Sequence, residues 1–232
     1  MSREAILAKV RAALGARQGD GRAGVVADRL SARPRSAIPA RAIGTRDALL
    51  AQFKDFLRGQ PADVVEAASL DDVPAAIAGA LRAANLPPRL RMGADPVLAA
   101  LPWTRAAGLE RLAGPAAPDD EVGLSRALAG VAETGTLVIA SGADNPVTLA
   151  FLPPVHVVVI AQEDIVGAYE DAFDRVRAAF GAGQMPRTLN LVSGPSRTAD
   201  IGGRIVIGAH GPRRLMVVIV GPAREQASPV MA

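Results

Sequence analysis

The sequence predicts an α/β domain, a mixed sheet flanked by helices, with a helical extension at its N-terminus. Three observations carry that prediction. Between residues 46 and 180, segments with apolar residues at helical spacing alternate with short runs of Val, Ile and Leu. The last third holds three apolar runs, 188–194, 204–210 and 213–220, whose connections are too short for crossover helices, so some neighbouring strands must be antiparallel. Composition completes the case: 232 residues suit one full-sized α/β domain with an appendage, and aromatics at 3% mean an aliphatic core of Ala, Val, Leu and Ile.

Residues 2–14 place Ile6, Leu7, Val10 and Leu14 on one helical face, with Ser2 as N-cap, Glu4 in the first turn and Gly15 as the stop. This helix is free to dock on another subunit, which predicts a homo-oligomer built through it. From residue 16 to 39 the composition turns to Arg, Gly, Ala and Pro without sustained periodicity and predicts a flexible or wrapping connector. Residues 1–40 are therefore set apart from a domain over 41–232. Inside the connector, GDGRAG at 19–24 fits a dinucleotide pattern, but that chemistry needs a strand before the glycines and a helix opening within them. Here a helix precedes and Arg/Pro-rich chain follows, so no cofactor is assigned.

The domain opens with Thr45 as N-cap of a helix whose face is Leu49, Leu50, Phe53, Phe56 and Leu57, ending near Gly59. A strand follows at 62–68, then a helix over 71–84 with Asp71 or Asp72 capping and Pro74 in its first turn. Next come a strand at 89–93 and a short helix after Asp95. Residues 122–133 read as a helix, 135–141 and 155–160 as buried strands, and Val166–Phe180 as an amphipathic helix with Val166, Tyr169, Phe173, Val176 and Phe180 on one side. No repeat of 20 to 50 residues is visible.

Composition also removes whole classes of chemistry. The chain has no cysteine, which excludes thiolate catalysis, disulfides, Cys-type zinc and an intrinsic Cys-ligated iron–sulfur cluster. His156 and His210 are its two histidines, too few for a histidine metal cage. No lysine follows Lys54, so Schiff-base chemistry is excluded beyond it. The net charge of +3 comes from arginines interleaved with acids, with few aromatics for base stacking, which argues against nucleic acid. Neither a signal peptide nor a membrane-length apolar run is present, so the expected location is the cytoplasm.

Four polar clusters stand at the ends of predicted strands: Glu133–Thr136, Ser141–Asn145, Ser193–Asp200 and Gly208–Pro212. Ligands in open α/β sheets bind beyond strand ends, where loop amides and small hydroxyls approach an anion. Gly142 and Gly194 let backbone amides reach a phosphate or carboxylate, Ser193, Ser196 and Thr198 supply hydroxyls, and Arg197 a bidentate fork. The competing reading is ordinary turn chemistry, with Asp200 capping a turn and pairing with Arg197. Glu133, between a predicted helix and a buried strand, is the candidate nucleophile or general base; its alternative is a carboxylate that accepts loop amides. His210, beside Gly211–Pro212, is the candidate proton carrier or substrate contact, whereas His156 reads as a hydrogen-bonded core histidine. A Ser-His-Asp triad is rejected because no strand–turn–helix elbow frames Ser193 or Ser196.

AETGTLVIASG (132–142), LPPVHVVVI (152–160), SGPSRTADI (193–201) and GAHGPRRLMVVIV (208–220) together resemble the LUD-domain family, in particular its lactate-utilisation protein C group. The resemblance implies a fold like that of sugar-phosphate isomerases and CoA transferases. It also implies a part in oxidising L-lactate to pyruvate with two iron–sulfur partner proteins, which alone would carry clusters. The strand-end clusters themselves supply the expected ligand contacts, Thr134, Gly135, Thr136, Ser141, Gly142 and the 193–200 loop. By similarity to CoA transferases, Glu133 before Thr134–Gly135 is a counterpart of their nucleophilic glutamate. One departure stands out: Gly202 follows SRTADI where an acidic or amide side chain is expected. Three functions therefore stay open: a component of a lactate-oxidising assembly holding a small anion, a stand-alone acyl transferase or sugar-phosphate isomerase using Glu133, and a non-catalytic ligand-binding regulatory subunit.

Overall fold

A computed structural model describes residues 2–14, 22–32, 35–201 and 204–221, and the chain divides into two compact units, Met1–Ala37 and Ile38–Ala232. The first unit contains helices α1 (Arg3–Leu14) and α2 (Arg22–Ala32). Ser2 caps α1 as expected, its hydroxyl accepting from the Ala5 amide at 3.3 Å. Helix α2 corrects the reading of 16–39 as an aperiodic connector: Val26 and Leu30 fall one turn apart beside Val25, a pattern too short to stand out among arginines. Residues 19–21 of the glycine motif lie outside the described residues, and Gly24 belongs to α2.

The second unit follows the predicted alternation. Helix α3 (Arg46–Gly59) is capped by Thr45, whose hydroxyl accepts from the Ala48 amide, and leads to β1 (Asp63–Ala67), α4 (Val73–Ala83), β2 (Arg89–Met92) and α5 (Pro96–Ala99). Asp72 precedes α4, but its carboxylate accepts from the Ser69 hydroxyl at 2.7 Å and makes no cap to the backbone. The chain continues through β3 (Glu110–Ala113), β4 (Val122–Arg126), β5 (Ala129–Val131), β6 (Thr136–Ala140), β7 (Val155–Ala161), β8 (Ile165–Val166) and α6 (Tyr169–Phe180). It closes with β9 (Leu189–Val192), β10 (Arg197–Ile201), β11 (Arg204–Ile207) and β12 (Arg214–Val220). Among the described residues no helix is long and apolar enough to cross a membrane.

Among the described residues the strands form three sheets. The central one is parallel throughout, in the order β1-β12-β7-β4-β2-β3. A smaller sheet, β8-β5-β6-β9, is mixed, because β6 runs antiparallel to both β5 and β9. β10 and β11 form a separate antiparallel hairpin. Two strands of the central sheet lead directly into the smaller one: β4 into β5 and β7 into β8. The switch is abrupt, since the Ala127 amide donates to Val159 in the central sheet and the next amide, Leu128, donates to Val138 in the smaller sheet.

The core lies on both faces of the central sheet. Val155, Val157 and Val159 of β7 pack with Met216 and Val218 against Val73, Ile77 and Leu81 of α4. Their neighbours Val158, Ile160, Leu215 and Val217 face Phe53 and Leu57 of α3 and Leu137 and Ile139 of β6. The far side of the smaller sheet, Ala129, Val131 and Val138, is covered by Ala172 and Val176 of α6.

Residues 122–133 are two strands, where the sequence predicts one helix. Their Leu, Ala and Gly content is compatible with a helix, but both faces of β4 are covered, which turns a strand into a near-continuous apolar run. Close packing fixes the outcome: a β-carbon on Gly123 would stand 2.5 Å from the Leu149 carbonyl oxygen, and one on Gly130 2.9 Å from both Phe53 and Ile160. Likewise Val166 belongs to β8, paired with Val131, and α6 begins only at Tyr169. The polar stretch from Arg197 is strand β10 and not a loop.

His156 is fully interior, and its Nε2 lies 3.0 Å from the Ser125 hydroxyl. Burial pushes its pKa down to about 4, so the folded protein holds the ring neutral where an unfolded chain would protonate it. Its contribution is therefore complete above pH about 6.5 and is lost as pH falls toward 4, a loss of about 3 kcal/mol. Urea denaturation of wild type and His156→Asn at pH 7.5 and pH 4.5 checks this: the variant is expected to show a smaller pH-dependent drop in stability by about that amount.

Candidate anion-binding groove

The loop from Gly208 to Arg213 brings the chain from the β10–β11 hairpin to the first residue of β12. Gly208 sits at φ 80°, and a β-carbon there would stand 2.7 Å from that of Arg213, so the turn needs glycine on two counts. Two backbone bonds strap the loop to the segment before β10: Gly208 donates to the Ser196 carbonyl and Ser196 donates to the Pro212 carbonyl, both at 2.8 Å. Arg214 is held by Asp63 of β1 at 2.6 Å and by its own amide to the Pro154 carbonyl. Beside this loop, at the amino ends of β7 and β12, lies an open groove of about 620 Å³ lined by Phe151, Leu152, Pro154, His210, Gly211 and Arg213 together with Gly208 and Ala209.

The groove combines an apolar wall with a cationic one. Phe151 and Leu152 are each 49% exposed. Gly211 lies between Ser196 and Phe151, where a β-carbon would touch both. Among the described residues Arg213 has no ion-pair partner, and no backbone carbonyl accepts from the amides of Ala209, His210 or Gly211. Successive free amides beside a guanidinium suit a carboxylate or phosphate, and the apolar wall suits a short aliphatic substituent. The His210 imidazole lines the same groove and offers a further hydrogen-bonding group to such an anion.

The residues singled out by sequence do not share one cavity. His210 lines the groove and Ser196 stands behind its loop, bonded to Gly208 and Pro212, while Arg197 and Thr198 stand in β10 opposite Ile207 and Val206. Asp200 is in the same strand, and Gly202 lies outside the described residues. A second group gathers where β6 begins: the Thr136 hydroxyl is 2.7 Å from those of Thr134 and Ser193 and 2.8 Å from that of Tyr169. Tyr169 also meets Thr134 at 2.9 Å. Gly135, at φ 66°, and Gly194 press against the end of α3, at Phe56 and Gln60. Here Glu133 is 8% exposed and its carboxylate accepts from Arg41 at 3.0 Å, while the Glu133 amide donates to the Gly167 carbonyl.

Ser141 and Gly142 are at the opposite end of β6, roughly 17 Å along the strand from Thr136 at about 3.3 Å per residue. The Ser141 hydroxyl accepts from the Thr188 amide at 2.9 Å, and Gly142 donates to the Asn145 carbonyl. Nearby, Asn145 exchanges two hydrogen bonds with the backbone of Arg126, and Arg126 donates to Asp95 at 2.8 Å. Asp95, 1% exposed, also accepts from the Val97 and Leu98 amides, so all its charge is used within the fold. Among the described residues no group of three His, Asp or Glu side chains is placed to hold a metal.

Sequence reasoning missed Arg213, Phe151, Arg41 and Tyr169. Arg213 stood inside the family-like segment 208–220 and was the legible one; the others join the sites through long-range contacts that no local pattern announces.

Comparison with known proteins gives the kinship of the chain. It is 36% identical over 102 residues to an uncharacterized protein of Neisseria meningitidis, covering 44% of this chain and 43% of that one. Against lactate utilization protein C of Geobacillus sp. it is 31% identical over 119 residues, 51% of this chain and 48% of the relative. The matched stretch thus spans about half the length of these curated relatives. The crystal structure of a DUF162 family protein from Deinococcus radiodurans is similar at a TM-score of 0.59 and 25% identity, over 77% of this chain and 100% of that one. The LUD domain model matches residues 50–220, which takes in the whole of the central and smaller sheets: the chain belongs to the LUD domain family.

Proposed function

We propose that this chain is a component of an L-lactate utilisation system in the cytoplasm, acting with iron–sulfur partner proteins in the oxidation of lactate to pyruvate and holding a small anionic ligand in the groove beside β12. The single observation that carries the ligand reading is the groove itself, where open amides, Arg213 and His210 face the apolar pair Phe151 and Leu152. The name of the Geobacillus relative supports the system, and a sequence without cysteine leaves Cys-ligated clusters to partners. The parallel sheet with a smaller sheet folded beside it is consistent with kinship to sugar-phosphate isomerases and CoA transferases.

The reading of Glu133 as a nucleophile is less well supported. Its carboxylate is engaged by Arg41, and Gln52 donates to the carbonyls of both Arg41 and Ala132, so the local network reads as a brace between the start of α3 and the β5–β6 turn. We assign Glu133 that bracing role.

Titration of the full chain with lactate, pyruvate and phosphate, followed by amide NMR, tests the ligand reading. At least one anion is expected to saturate and to shift the His210 and Gly211 amides, and Arg213→Ala to weaken it about tenfold or more. Absence of saturable binding by all three would overturn the groove as a ligand site. The isolated chain is expected not to oxidise lactate, and turnover by this polypeptide alone would defeat the assembly reading. Glu133→Gln is expected to cost roughly 1 kcal/mol of stability, because Arg41 keeps its solvent, and to leave anion binding unchanged.

A further inference from the structure

A second hollow lies on the α4 side of the central sheet, away from every motif in the sequence. It is a cavity of about 320 Å³ between the carboxyl end of α4 and the turn before β3, with Ala78, Leu81, Leu86, Ala107 and Leu109 around it and Arg82 at its mouth. That volume is at the small end of the range for ligand sites, about 300–1,000 Å³. Leu81 is 1% exposed and belongs to the main core cluster, and Leu86 and Leu109 pack on the same cluster, so the floor is apolar and continuous with the interior.

Both walls are fixed by hydrogen bonds. On one side α4 ends in a left-handed residue, Asn85 at φ 53°, with the Leu86 amide donating back to the Leu81 carbonyl at 2.9 Å and the Ala84 amide to Ala80 at 3.0 Å. On the other side Gly108 turns at φ 87° and the Leu109 amide donates to Ala106 at 3.0 Å. The Glu110 amide donates to the Pro88 carbonyl at 2.8 Å and ties the two walls together. The hollow is therefore built before any ligand arrives, and little ordering entropy opposes binding.

Its electrostatics favour one charge sign. Among the described residues Arg82 has no ion-pair partner, unlike Arg105, which is held by Asp71 and Asp72, and Arg91, which is held by Asp120. Arg89 and Arg111 stand on the flanking strands β2 and β3, with Glu110 as the nearby acid. One open guanidinium over an aliphatic floor matches a singly charged head on a short apolar tail; a phosphate dianion would call for more cations than this rim offers.

We propose that this cavity binds a short-chain aliphatic carboxylate, its tail against Leu81, Leu86 and Leu109 and its carboxylate on Arg82. The site is independent of the groove beside β12. Isothermal titration of the full chain with hexanoate, acetate and 1-hexanol tests it. Hexanoate is expected to saturate with Kd on the order of 1 mM or tighter. Acetate, without the tail, and hexanol, without the charge, are each expected to bind about tenfold more weakly or worse. Arg82→Gln reduces hexanoate to the hexanol level, and Ala78→Phe, which fills the cavity, abolishes binding of both; Ala107→Trp from the opposite wall repeats that result should Ala78→Phe fail to fold. No saturable hexanoate binding, or binding insensitive to Arg82→Gln and to the filling variants, overturns the proposal. So does loss of hexanoate binding in Arg213→Ala, which would place the ligand in the other groove.

Discussion

The structure depends on keeping water from both faces of two adjacent strands, β7 and β12. They pair in parallel over seven positions, from Arg214 opposite Val155 to Val220 opposite Ala161, and nearly every side chain between is buried. Each such aliphatic side chain contributes about 1.5–3 kcal/mol when removed from water. Because the strands lean on different layers at once, α4 on one face and α3 with β6 on the other, no layer forms its core alone. The one imidazole admitted there, His156, stays neutral and leans on Ser125.

Much of this frame was legible in the sequence. The runs at 155–160 and 215–220 are apolar at every position but His156 and rich in Val and Ile, a pattern typical of doubly covered strands. Thr45 and Gly59 bracketed α3 correctly because its apolar face keeps one period for its whole length. What stayed hidden was settled by contacts between distant segments. Gly123 and Gly130 read locally as residues tolerated within an Ala- and Leu-rich helix; in the fold they are the places where Leu149 and Phe53 approach the backbone. The hairpin strand from Arg197 reads RTADI, polar at three of its five positions, so it lacked the alternation that identifies a strand with one dry face.

The functional residues were legible by type and much less by position. Hydroxyls, glycines and a histidine at strand ends were all found, yet β6 carries Thr136 and Ser141 to opposite ends, and a linear motif that contains both says nothing of that separation. Glu133 illustrates a second limit. Its partner Arg41 lies 92 residues earlier, and without it the carboxylate seems open for chemistry. The groove beside β12 gains its cation and its apolar wall from Arg213 and from Phe151, brought together by the strap between Ser196 and Pro212.

The passage of β4 into β5 has a consequence for cooperativity. Ala127 and Leu128 are consecutive, and their amides are committed to different sheets, so opening either sheet displaces the backbone that the other holds. Protection against hydrogen exchange at these two amides should then rise and fall together. The hydroxyl cluster at the start of β6 and the loop entering β12 would share one unfolding event, even though their side chains never touch.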